Sequence, residues 1–241
     1  MFNSVGTYKR SLPALDLNFG ASTQLSQVVR GTDAAITYTG GAYGTKHDSD
    51  GVLGYAPHNL CLQSEVFGTT WSSVRTTIGT NSVTAPDGNT TADTLIEDGT
   101  GANTHQTSQS ISFASGTAYT FSTYVKAANR SWVLLHMASA AFAGNVNTYF
   151  DLSSVAVGTS SNTDSTGIED VGNGWDRIWE TATTNATASA AIGVFIAEAN
   201  NDFTFDGLSQ DSLYLWGAQL NIGSTALTYV PTTTAAVWTA R

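Results

Sequence analysis

The chain has 241 residues, 41% of them hydrophobic and 12% charged, with a formal net charge of −10 from 19 acidic and 9 basic side chains. This is enough apolar material for a sizeable core. The charged share is about half that of an ordinary soluble domain, too low for long helices with a wet face, and basic residues are too sparse for nucleic-acid binding, which needs clustered Lys and Arg.

Other broad exclusions follow from the same reading. Cys61 is the only cysteine, so no intrachain disulfide or Cys-cluster metal site can form. No apolar run reaches the ~18 residues of a membrane span, which argues against membrane insertion. The start, Met1-Phe2-Asn3-Ser4, lacks the basic and apolar regions of a secretion signal, so synthesis in a cytoplasm is expected.

Residues 1–56 read as a separate attachment segment with short strands. Lys9 and Arg10 precede Leu12 and Leu15, and Leu15, Leu17 and Phe19 alternate with polar residues; short strand-like runs recur at 28–30 and 36–38. Strands this short bury little area alone. Lys9, Arg10, Leu15, Leu17 and Phe19 are therefore the candidate anchoring residues of an arm that adds to a sheet edge, in the chain itself or on a partner. The turn Asp48-Ser49-Asp50-Gly51 closes the segment.

Residues 57–241 read as one domain of strands divided by turn signals. The expected strands are 59–65, 82–84, 91–97, 106–113, 118–126, 131–138, 147–152, 175–183, 190–197 and 212–220. The period is clearest over 119–126: Tyr119, Phe121 and Val125 share one face, and Ser122, Tyr124 and Lys126 the other. About ten strands with no long amphipathic helix predict an all-β, two-sheet antiparallel sandwich, a jelly roll first and an immunoglobulin-type sandwich second. Phe203-Thr204-Phe205, among Asn201, Asp202 and Asp206, reads as an exposed loop tip.

Five segments in order carry a resemblance. They are Asn59-Leu60-Cys61-Leu62-Gln63-Ser64-Glu65 ahead of Trp71; Ala85-Pro86-Asp87-Gly88-Asn89-Thr90-Thr91-Ala92-Asp93-Thr94-Leu95; Tyr119-Thr120-Phe121-Ser122 with Val125-Lys126-Ala127; Gly172-Asn173-Gly174-Trp175 with Arg177; and Leu215-Trp216-Gly217-Ala218-Gln219-Leu220 leading to Tyr229-Val230-Pro231-Thr232. Together, over roughly 57–234, they resemble bacteriophage head-fibre, head-spike and tail-fibre domains, which are similar to the jelly rolls of carbohydrate-binding modules. The chain departs from that pattern at Asn221, where an acid is common, and at Asp176, where an aromatic is common.

The resemblance implies a non-enzymatic virion structural protein, a head decoration or fibre or a tail fibre, displayed on the virion surface for stabilisation or host attachment. Its expected partners are other virion proteins of capsid or tail, further copies of itself as a homotrimer, and a cell-surface glycan. A receptor-binding module that recognises a surface glycan is the alternative reading, and a polysaccharide depolymerase a more distant one.

Chemistry-bearing motifs are few. His47, His58, His105 and His136 are scattered, and no G-x-S-x-G elbow is present. Glu169-Asp170, or Asp202 with Asp206, are the carboxylates that a glycosidase would pair, but they lie in loop-like stretches. Jelly rolls of the carbohydrate-binding type often carry a structural Ca²⁺; the 48–51 turn lacks the distal Glu of a calcium loop, which leaves Glu65 as the candidate metal ligand. For a glycan, the candidate stacking rings are Tyr124, expected as an exposed platform, Trp132, and Trp179, which shares a face with Arg177.

Overall fold

The computed structural model describes residues 45–47 and 53–239. The arm residues Lys9, Arg10, Leu15, Leu17 and Phe19, and the 48–51 turn, lie outside the described residues. The described strands are, in chain order, β1 (Thr45–His47), β2 (Leu53–Tyr55), β3 (His58–Asn59), β4 (Ser72–Val74), β5 (Thr76–Val83), β6 (Ala92–Glu97), β7 (Gln106–Phe113), β8 (Ala118–Ala127), β9 (Trp132–Met137), β10 (Val146–Asp151), β11 (Ala156–Ser161), β12 (Ser165–Gly172), β13 (Trp175–Thr183), β14 (Ala188–Ala197), β15 (Asp211–Ile222) and β16 (Val237–Trp238). Among the described residues there is no helix, hence none long and apolar enough to cross a membrane.

Twelve of these strands form two six-stranded antiparallel sheets packed as a sandwich, consistent with a jelly roll. The first runs β11-β10-β9-β14-β7-β4 and the second β12-β13-β8-β15-β6-β5. Their facing sides make one core. The first sheet contributes Val133, Leu135, Met137, Phe150, Ile192, Val194 and Ile196, and the second Phe121, Val125, Ile178, Leu213, Leu215 and Leu220. Each fully buried large apolar side chain is worth about 1.5–3 kcal/mol relative to exposure, so these rows dominate the favourable side of folding. Tyr119, Phe121 and Val125 do point inward and Tyr124 outward, as the period of two requires.

The expected strands coincide with observed ones where a buried face imposes alternation: β7 and β13 match residue for residue, and β8, β9, β10, β14 and β15 within a few. The strands missed are edges. In β11 five of six residues are exposed, and β12 fully buries none, with only Ile168 packed against the core; strands so largely exposed show no hydrophobic period. Most of β5, and all of β4, escaped for the same reason.

Residues 59–65, read as a strand, form one only at its first position. Asn59 is fully buried and donates to the carbonyls of Ala218 and Val230, while its Oδ1 accepts from the backbone N–H of Cys61 and Leu220. The chain then leaves the extended path so that Cys61, Phe67 and Trp71 close the core. The Gln109 amide, reaching from β7, pairs with both backbone groups of Leu62.

Two further features position the outer surfaces. Gly217 has φ 63° at a bulge in β15, and its extra residue resets the alternation. Before it Tyr214 and Trp216 face outward; after it Gln219 and Asn221 do, with Ala218 and Leu220 inside. At one end of the sandwich, Arg130 donates to both oxygens of Glu97, whose side chain is 0% exposed, and to Glu198. Glu97 also accepts from Leu208 N–H and the Gln210 amide, which fixes the 198–210 loop. Burial alone would raise the Glu97 carboxyl, but Arg130 and these donors hold it below the usual carboxylate range. Phe205, expected at an exposed tip, is instead buried between Arg130 and the stacked ring of His105, because the anchored loop folds inward.

Candidate functional site

Both sheets carry aromatic side chains on their outward faces. On the first, Leu134, Tyr149, Phe195 and Ala197 are buried beneath Trp132 and Phe203. Phe203 lies with its ring centroid 6.0 Å from Phe195 and 6.4 Å from Tyr149. Trp132 rests on Gly158, where an added Cβ would come within 2.9 Å of the ring, and Asn200 bonds the neighbouring Thr159 N–H. Trp132 is thus half-buried and part of the cover of a small outer core.

On the second sheet, Trp175, Trp216, Ala85 and Ala92 form another outer core with Tyr124, Tyr214 and Tyr229 packed against it. Both indoles are satisfied, Trp175 by the Thr84 carbonyl and Trp216 by Thr91 Oγ1, each at 3.1 Å. The chain after β15 is drawn over this core: Gln219 bonds the backbone of Leu227, Thr228 and Val230, and Asn221 that of Thr225 and Leu227. Asn221, where the resembled family commonly has an acid, can both donate and accept in that turn, as a carboxylate cannot. Tyr124 meets Trp216 at 5.2 Å and Tyr229 at 6.0 Å, both edge-on. The expectation of an exposed Tyr124 platform is corrected: the tail carries Tyr229 onto it.

The tail stops short of the β12 edge, and there the face opens. Arg177 marks the boundary. Its Nη2 donates to the Leu227 carbonyl at 2.6 Å and to Ser122 Oγ at 3.2 Å, and the guanidinium lies 5.5 Å from the Tyr124 ring centre. Two residues further along, Trp179 of β13 stands opposite Gly167 of β12. The benzo edge of the indole covers the place where a Cβ on Gly167 would project, so the ring lies down on the sheet only because that side chain is missing. Arg177 and Trp179 floor a shallow depression of about 260 Å³, rimmed by Ser224, Thr225 and Ala226 on one side and Ser165 and Glu169 on the other. Arg177 and Glu169 are register partners, yet among the described residues no carboxylate lies within ion-pair distance of Arg177. The depression therefore offers an aromatic face beside a donor group and a separate acceptor group.

Of the three expected rings, two share this outward face and are linked through Arg177, while Trp132 lies on the opposite side of the sandwich. Gly167 and Ser224 to Ala226 were not foreseen, since only strand register and the path of the tail bring them together.

The other candidates separate. Glu65 accepts a bond from Tyr229 Oη at 2.9 Å, and Ser64 Oγ lies 2.7 Å from the same oxygen; burial pushes the Tyr229 hydroxyl well up. Among the described residues no three His, Cys, Asp or Glu side chains cluster as a metal site would need. Glu169 and Asp170 belong to β12, not a loop, and as consecutive strand residues face opposite sides of the sheet. Asp206 accepts from Ala102 N–H, and Asp202 and Ala199 form a bridge. Asp176 is buried inside the sandwich; burial, then the Asp170 charge opposite it, raises its carboxyl to about 6.

No protein-family model and no curated protein matches the sequence. Solved structures that share part of its shape include two of low sequence identity. The enzymatically active domain of tailspike protein 4 from bacteriophage CBA120 aligns with TM-score 0.41 and 12% identity, over 66% of this chain and 20% of that one. The CBM22-1–GH10 modules of xylanase 10B from Clostridium thermocellum, in complex with xylohexaose, align with TM-score 0.37 and 14% identity, over 69% of this chain and 28% of that one. The chain thus spans a fifth to just over a quarter of the chains it resembles.

Proposed function

We propose that the chain is a non-enzymatic protein of a phage particle, displayed as a head decoration or fibre or as a tail fibre, and that its outward task is attachment through a surface glycan. The reading of a virion protein rests on the five sequence segments in order. The glycan reading is carried by one observation, the Trp179 ring laid flat on Gly167 beside Arg177 and Glu169, which line the same depression without forming an ion pair. A pyranose stacks its C–H face on such a ring, and its hydroxyls donate to a carboxylate and accept from a guanidinium. That pairing of one donor and one acceptor, in a chain of net charge −10, favours a neutral sugar over an acidic one.

A glycan array followed by calorimetry tests this. Trp179→Ala abolishes binding of the neutral glycans retained by the wild type, while thermal unfolding moves by no more than a few degrees because the ring is half-exposed. Unchanged binding in the variant would place recognition elsewhere. An array on which nothing binds favours the second reading, a decoration that stabilises the particle; a map of the intact virion then shows where residues 1–56 attach and whether the copies form a trimer.

A further inference from the structure

Glu180 stands where this sandwich otherwise places apolar side chains. On β13 it shares the inward side with Ile178 and Ala182, both members of the core. It is 0% exposed, and neither carboxyl oxygen has a hydrogen-bond partner. Its register neighbours are Phe121 on β8 and Thr166 on β12. A polar group that acts on it is Thr148, reaching from β10 of the facing sheet; the Thr148 hydroxyl is buried and likewise has no hydrogen-bond partner by geometry. A neutral carboxyl tolerates such a place at modest cost, but a carboxylate there is a buried charge with nothing to compensate it.

We propose that Glu180, facing Thr148, is a proton-operated latch between the two sheets: the neutral acid lets the β12–β13 edge close on β10, and loss of the proton loosens that edge. The location suits the role. β12 is a sheet edge with none of its residues buried, held to the rest of the molecule through β13, so a charge appearing behind β13 acts on the least secured part of the sandwich.

Nearby charges oppose rather than relieve ionisation. Asp176, further along β13, is buried on the same inward side, and its register partner Asp170 of β12 is solvent-exposed. Arg177 and Glu169 point to the outward side of those strands, as do Lys126 of β8, His136 of β9, and Tyr149 and Asp151 of β10; β11 carries no titratable residue. Burial accordingly pushes the Glu180 carboxyl up to about 8, with Thr148 offsetting a little of it. Because the folded pKa lies above the unfolded one, the folded state holds the extra proton. Stability is greatest below the unfolded value and falls as pH climbs towards the folded one.

The test compares wild type and Glu180→Gln, which keeps the shape and cannot ionise, by thermal unfolding and by hydrogen exchange corrected for intrinsic rate. Between about pH 6 and about pH 9 the wild type loses roughly 5 °C or more in Tm, with exchange rising first in residues 165–183. Glu180→Gln loses neither. A second variant, Glu180→Leu, behaves as Gln does if the charge alone is responsible. Should neither variant refold, the wild type still decides the matter through its infrared signal for a neutral carboxylic acid, present near neutrality and lost in alkali. The proposal is overturned if Glu180→Gln or Glu180→Leu declines as steeply as wild type, if the added exchange spreads evenly over all strands, or if no neutral acid titrates above neutrality.

Discussion

The two outward faces of the sandwich are built from similar side chains and end differently. The first sheet lays Leu134, Tyr149 and Phe195 outside and seals them with Phe203 and Trp132, because the Arg130–Glu97 pair holds the 198–210 loop against the molecule. The second sheet lays Trp175, Trp216 and Tyr124 outside and seals them with the chain after β15, held by Gln219 and Asn221. That tail covers only part of its face, and what remains is the Trp179 depression. An outward aromatic is therefore not yet a binding surface. What decides is the covering segment, and each cover hangs on a few polar anchors.

The largest expected effect breaks the first cover. Arg130→Ala leaves the Glu97 side chain buried without its cation and frees the loop, and should cost about 3–5 kcal/mol in chemical denaturation. It should also raise proteolytic sensitivity within 198–210, and a stability change below about 1 kcal/mol would mean the pair does not hold the loop. Next, Trp216→Ala removes the ring against which Tyr124 and Tyr229 pack, and should cost about 3 kcal/mol. The same substitution at half-exposed Trp179 should cost far less while removing glycan binding, so the two variants together separate the sealed part of the face from the open part.

The smallest effect sharpens the contrast between the two sheet interiors. Asp176 titrates at about 6 in the fold, above its ordinary value of 3.8, so it withdraws stability as pH rises between those values. Asp176→Asn should be more stable than wild type near neutral pH by about 1 kcal/mol, the full shift being discounted for screening by water at the strand end. Near pH 4 the gain should vanish. Urea midpoints at the two pH values check this, and an equal gain at both would point to packing instead of charge.

How far the molecule was legible in its sequence follows the same division. The alternation of Tyr119, Phe121 and Val125 announces β8 because one side of that strand is apolar and the other carries mainly polar side chains. β11 and β12 announce nothing, since a largely exposed edge strand accepts almost any residue, and Glu180 broke the inward pattern of β13 without marking itself. The Trp179 site was half legible. Arg177 and Trp179 lie two apart on one strand, so a period of two puts them on one face, but Gly167 is twelve residues away and matters only through register.

By itself the order of side chains determined the fold class, the central strands of both sheets and the lack of any clustered cysteine or basic patch, because periodicity and composition act locally along the chain. Which outward rings are covered, where β15 changes face at Gly217, and that Gly167 lies under Trp179 were decided only in three dimensions. Those features arise from contacts between segments up to more than a hundred residues apart, and no local pattern encodes who will be a neighbour across a sheet.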